Sequence, residues 1–90
     1  MSYPDFRLDN KIAVVTGASM GIGYGLAKAL ANAGARVAVA ARTIEKLATL
    51  VTEIEAEGGT AKAFALDLRS IEGIRATFDA IADHFGRIDI

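Results

Sequence analysis

The sequence predicts an α/β fold built as a doubly wound parallel sheet, and three observations carry that prediction. Short apolar runs rich in β-branched residues alternate with longer stretches whose apolar residues recur at helical spacing. Each longer stretch stops at a glycine, Gly34, Gly58 or Gly86, the residue best suited to the left-handed position just past a helix end. A glycine-rich segment, Thr16-Gly17-Ala18-Ser19-Met20-Gly21-Ile22-Gly23, stands between the first strand and the first helix.

Ile12-Ala13-Val14-Val15-Thr16 reads as a strand buried on both faces, bounded by Lys11 and Gly17. Gly21 to Ala33 reads as the first helix, with Ile22, Leu26, Ala29, Leu30 and Ala33 as its apolar stripe. Val37-Ala38-Val39-Ala40-Ala41 repeats the buried-strand pattern, and Thr43 is placed to cap a second helix whose apolar side runs Leu47, Leu50, Val51, Ile54. Gly58 and Gly59 stop it. Ala61 to Leu66 is expected as a third strand, although alanine is a poor strand former. Ser70 then caps a third helix with a stripe of Ile74, Phe78, Ile81 and Phe85, and Ile88-Asp89-Ile90 reads as the start of a fourth strand. Strand-helix units in this order imply right-handed crossovers between parallel strands. In the doubly wound order strands one to three step outward and the chain then crosses back, so the ligand crevice opens between strands one and four.

Composition narrows the function. With 90 residues the chain can hold one small core, yet 52% of it is hydrophobic and the mean hydropathy is +0.33. That is apolar for so small a chain, and it reads as the N-terminal part (1–90) of a single larger domain truncated at Ile90. No apolar run is long enough for a membrane span, and Met1 to Asn10 is too polar for a secretory signal, so a soluble cytoplasmic protein is expected. There is no cysteine and a single histidine, so neither a disulfide frame nor a metal site is expected. The net charge is −1 and the lysines and arginines are scattered, which argues against a nucleic-acid partner.

The glycine-rich segment carries the chemistry. A pyrophosphate needs several N–H donors aimed at one point, and a helix N-terminus offers them together with the positive end of the helix dipole. Gly17 leaves the strand where a turn calls for positive φ, Gly21 sits where a side chain would meet phosphate, and Gly23 lets the helix pack closely. Ser19 adds a hydroxyl donor, and Met20 and Ile22 complete the loop. The spacing is Gly-x-x-x-Gly-x-Gly rather than the commoner Gly-x-Gly-x-x-Gly. An NAD site places Asp or Glu about 20 residues past the loop, to accept from the ribose hydroxyls. Here the second strand ends Ala40-Ala41-Arg42-Thr43. No carboxylate precedes Glu45; Arg42 can fork onto a 2′-phosphate and Thr43 can add a hydroxyl, which favours NADP(H) over NAD(H).

Thr16 to Gly23 resembles the Thr-Gly-x-x-x-Gly-x-Gly signature of the short-chain dehydrogenases/reductases, a Rossmann-type family, and the likeness runs along the whole chain. Asp67-Leu68 resembles the family's Asp-Val/Leu pair, which implies that this carboxylate and the following backbone hold the adenine. Gly86 to Ile90 resembles the stretch leading into Asn-Asn-Ala-Gly. The family position matching Ala41 is the usual NAD aspartate and the one matching Arg42 is basic in many NADP-preferring members; those members often also carry Arg or Lys where this chain has Met20. The resemblance implies hydride transfer between the nicotinamide and a carbonyl or secondary alcohol, a small-molecule substrate and a homo-oligomer in the full-length protein.

Tyr24 and Lys28 match the family's catalytic Tyr-x-x-x-Lys spacing, but on the first helix, far ahead of where the family's pair lies, so they read as helix surface. His84 reads as structural, near a helix C-terminus where a cation is favoured, and Glu45, Glu53, Glu55 and Glu57 read as the solvated side of helix two. No catalytic residue is assigned within this sequence. The 90-residue chain alone is expected to be inactive, and the alternative reading is a non-catalytic nucleotide-binding module or an inactive fragment.

Overall fold

The computed structural model describes residues 8–19 and 21–90. Three strands, β1 (Ile12–Thr16), β2 (Arg36–Ala41) and β3 (Thr60–Ala65), form one sheet in the order β1-β2-β3. Both pairings are parallel, with Val14 opposite Ala38 and Ala38 opposite Lys62. Helix α1 (Gly21–Asn32) joins β1 to β2, and a 3₁₀ turn at Ile44–Leu47 followed by α2 (Ala48–Ala56) joins β2 to β3. Helix α3 (Ile71–Phe85) follows β3.

Because side chains alternate along a strand, each strand feeds two cores. Ala13, Val15, Val37, Val39 and Ala61 turn to one face, where α1, the 3₁₀ turn and α2 cover them with Ala27, Ala31, Leu47, Leu50 and Ile54. Ile12 and Ala38 turn to the other, where Ile81 and Phe85 of α3 meet them, with Val14 and Phe64 packed alongside. Two helices on one face and the third on the other are what doubly wound means, so the expected fold class is the observed one. Strands β1 and β2 are apolar on both sides because both sides are covered, whereas β3, at the sheet edge, leaves Thr60 and Lys62 exposed.

Local chemistry sets the ends of α3. The Ser70 hydroxyl accepts from the Gly73 N–H at 3.0 Å, as an N-cap should. Gly86 closes the helix at φ 88°, its N–H donating to the Ala82 carbonyl. Thr43 does precede the 3₁₀ turn, but its side chain makes no capping hydrogen bond. The third strand lies one residue earlier than expected, and the Leu66 N–H prolongs its pairing by donating to the Ala41 carbonyl at 2.9 Å.

Two expectations need correction. Residues 88–90 do not form a strand, yet they lie along the edge of β1 that does not face β2: Val14 N–H donates to the Ile90 carbonyl at 2.9 Å, and Ile90 N–H to the Ile12 carbonyl at 3.0 Å. The Asp89 carboxylate also accepts from the Ile12 N–H at 2.8 Å. Helix α1 departs further. Its buried residues are Ala27 and Ala31, whereas Ile22 is 90% and Leu26 49% exposed. Gly23, Ala27 and Ala31 lie four apart on one face, and the helix is buried most deeply on its smallest side chains; of the large residues in the expected stripe, Leu30 packs partly buried against the core.

Candidate functional site

The carboxyl ends of the three strands open onto one cleft. Its volume is about 340 Å³, and its walls are Gly17 and Ser19 after β1, Ala41 and Arg42 at the end of β2, and Leu66, Asp67, Leu68 and Arg69 after β3. Five residues singled out from sequence therefore meet: Gly17, Ser19, Arg42, Asp67 and Leu68. Gly21, Ile22 and Gly23 begin α1 beside the loop, and Thr43 follows Arg42, but these four do not line the cleft. Met20 lies outside the described residues.

The glycines in the loop answer to two different requirements. Gly17 and Gly21 both have φ of 64°, and nothing lies within 4 Å of where a Cβ would stand at either. What they need is the left-handed backbone, costly for any residue with a Cβ. Gly23 has the opposite need: a Cβ there would lie 2.5 Å from the Gly17 carbonyl oxygen and 3.2 Å from the Ala18 Cα. It lets α1 close directly onto the loop. The first turn of α1 carries no acidic residue, so no carboxylate competes with an anion for its exposed N–H groups. The donor set fits a pyrophosphate.

The electrostatics centre on Asp67. Arg69 grips it as a fork, Nε to Oδ1 at 3.0 Å and Nη2 to Oδ2 at 2.9 Å, and the Arg69 backbone N–H also donates to Oδ1 at 2.9 Å. The side-chain fork, followed by that backbone bond, holds the Asp67 carboxyl down at about 2 against desolvation, with the charges of Arg69 and then Arg42 adding lesser pulls in the same direction. Asp67 is thus an ionised acceptor at neutral pH, with one lone pair of Oδ2 left beyond these three bonds. Two guanidiniums face one carboxylate across the cleft, leaving it net positive. Arg69 is the residue that sequence reasoning missed. The available signal was Asp67-x-Arg69, a spacing that lets two side chains meet in a turn.

Tyr24 and Lys28 do something other than chemistry. The Tyr24 hydroxyl donates to Glu53 Oε2 at 2.5 Å, and Lys28 Nζ lies 3.4 Å from Glu53 and 3.8 Å from Glu57. The hydrogen bond to Glu53 pushes the Tyr24 pKa up, the reverse of what a catalytic tyrosine needs. Glu53 and Glu57 therefore tie α2 to α1 rather than only facing solvent. His84 is exposed and meets the Phe85 and Phe64 rings edge-on. No cluster of metal-ligating side chains occurs among the described residues, nor any helix long and apolar enough to cross a membrane.

Comparison with known proteins identifies the family. The profile of the short chain dehydrogenase family matches residues 11–90. D-threitol dehydrogenase of Mycolicibacterium smegmatis is 43% identical over 86 residues, covering 96% of this chain and 33% of that protein. Galactitol 2-dehydrogenase of Agrobacterium fabrum is 43% identical over 93% of this chain and 32% of its own length. Among solved structures, a metagenomic short-chain oxidoreductase in complex with NADP superposes with a TM-score of 0.89 at 43% identity, over 92% of this chain and 38% of that one. The chain spans about a third of the length of the curated relatives it matches. It belongs to the short-chain dehydrogenase/reductase family.

Proposed function

We propose that this chain holds the adenosine half and the pyrophosphate of NADP(H), for hydride exchange between the nicotinamide and a carbonyl or secondary alcohol. The observation that carries the reading is the end of β2, where Arg42 faces the cleft and no carboxylate stands in the position that would accept from the ribose hydroxyls. The complex of a similar oxidoreductase with NADP supports it.

In this reading the backbone from Gly17 to Gly23, with the Ser19 hydroxyl, cradles the pyrophosphate at the N-terminus of α1. Arg42 forks onto the 2′-phosphate and the Thr43 hydroxyl, not used as a cap, adds a donor beside it. Asp67 accepts from the adenine amino group and the Leu68 backbone lines the base. When bound, the nicotinamide supplies or takes up the hydride. No residue of this chain is assigned to polarise the substrate oxygen.

The test is titration of NADPH and NADH against Arg42→Ala. Losing charge-assisted bonds to the phosphate should weaken NADPH binding about ten- to hundredfold. NADH should change little. Equal losses for the two cofactors would refute the assignment.

A further inference from the structure

Arg42 and Asp67 stand at the ends of neighbouring strands, with Ala41 opposite Ala65 in the register, and they face the same cleft. A carboxylate so placed is a hazard to an anion site. It repels a 2′-phosphate, and it competes with that phosphate for the guanidinium of Arg42. In the structure neither hydrogen bond nor ion pair joins Arg42 to Asp67 among the described residues, although the charge of Arg42 is felt there. Asp67 is taken instead by Arg69, through three hydrogen bonds that use both of its oxygens.

We infer that Arg69 is a positioning residue for cofactor selectivity: by clamping Asp67 it leaves Arg42 free for a 2′-phosphate and keeps the cleft positive. This rests on the reading of Arg42 given above and adds a second residue to it. Arg69 acts through Asp67, not by touching the phosphate. The Arg69 side chain is 70% exposed and that of Asp67 43%, so solvent screens the interaction and the effect is moderate. With no ion pair between Arg42 and Asp67, a unit charge released beyond about 4 Å from another in a water-like dielectric is worth at most about fivefold in an equilibrium constant.

Two probes isolate the claim: 2′,5′-ADP and 5′-AMP, which share the adenosine and differ in the 2′-phosphate. The ratio of their dissociation constants, measured by titration calorimetry on the intact protein, cancels every loss common to both, including the adenine contact of Asp67. The wild type should favour 2′,5′-ADP. Arg69→Met should shrink that advantage about two- to fivefold, and Arg69→Lys, which keeps the charge, should retain most of it. The double variant Asp67→Asn with Arg69→Met should recover it, since no carboxylate is left to neutralise. An unchanged ratio in Arg69→Met would overturn the inference, and so would failure of the double variant to recover, which would mean direct contact between Arg69 and the phosphate. If the wild type itself shows no advantage for 2′,5′-ADP, the reading of Arg42 fails and this inference falls with it. If Arg42→Ala abolishes the advantage while Arg69→Met leaves it intact, Arg69 alone is refuted.

Discussion

Gly23 and Gly25 lie two apart in α1, and replacing each by alanine sets two effects of known size against each other. Alanine is favoured over glycine in a helix by up to about 1 kcal/mol. At Gly25 nothing lies within 4 Å of the new Cβ, so Gly25→Ala should stabilise by about 0.5–1 kcal/mol. At Gly23 the new Cβ would stand 2.5 Å from the Gly17 carbonyl oxygen, and ordinary contact begins at 3.4 Å, so helix and loop must part by 0.9 Å. The obstructing atoms are backbone and cannot rotate away. Overpacking of this kind costs about 1–3 kcal/mol, and a backbone clash belongs in the upper half of that range. After the helix gain, Gly23→Ala should destabilise by about 1–2 kcal/mol. Urea unfolding of the two variants reads the difference directly, and melting should separate them by roughly 10 °C in a domain of this size. Gly23→Ala should also weaken 2′,5′-ADP binding, because the loop is what moves. If Gly23→Ala proves as stable as the wild type, α1 does not seat on the loop as described.

The tie between the helices and the charge of the cleft give two further expectations. Glu53 is held below its usual 4.5, chiefly by the Tyr24 hydroxyl, so its contribution is present above 4.5 and is lost as pH falls through the lowered value. Tyr24 is raised above 10.0, so its contribution is present below 10.0 and is lost as pH rises through the raised value. Tyr24→Phe should therefore lower the melting temperature near neutral pH and have little effect at about pH 2; an equal loss at both would show that the hydroxyl contributes independently of the ionised Glu53 carboxylate. Asp67, with its pKa held at about 2, stays ionised through the neutral range. The pH dependence of 2′,5′-ADP binding should then follow the phosphate's own ionisation near about pH 6. An inflection near the ordinary aspartate value would mean that Arg69 does not grip Asp67 in solution.

The strands were legible because a sheet covered on both faces needs unbroken apolar runs, and Ile12–Thr16 and the residues around Val37 and Val39 supply them. The position of Arg42 was legible for the same reason, since the end of β2 fixes where its side chain emerges. The buried face of α1 was not. Spacing arguments weight large apolar residues such as Ile22 and Leu26, whereas this contact selects for small ones, and hydropathy carries no information on how closely two backbones approach. Arg69 was hidden because an exposed arginine is ordinary; its role depends on a turn that brings it onto a carboxylate two residues back. The spacing of Tyr24 and Lys28 was visible, and its distance from the family's catalytic pair set it aside. Their partners on α2 were not visible, since α1 and α2 become neighbours only when both cover the same face of the sheet.

The two helices on that face hold the sheet by different means, and the difference bears on the site. Helix α2 and the turn before it bring Leu47, Leu50 and Ile54, all fully buried or nearly so, and each such side chain contributes about 1.5–3 kcal/mol of burial. Helix α1 brings only Ala27 and Ala31 as buried side chains, with Leu30 and Tyr24 partly buried beside them, and the two alanines remove little area from water. What α1 gains from small residues is close approach: Gly23 meets the loop at the Gly17 carbonyl and Ala18, and the helix N-terminus stands at the end of β1. Area under α2 supplies stability, and shape under α1 supplies placement of the anion-binding donors. Substitutions under α2 should therefore report mainly in unfolding, while substitutions along Gly23, Ala27 and Ala31 should move the loop, and with it the affinity for a phosphorylated adenosine, before the fold is lost.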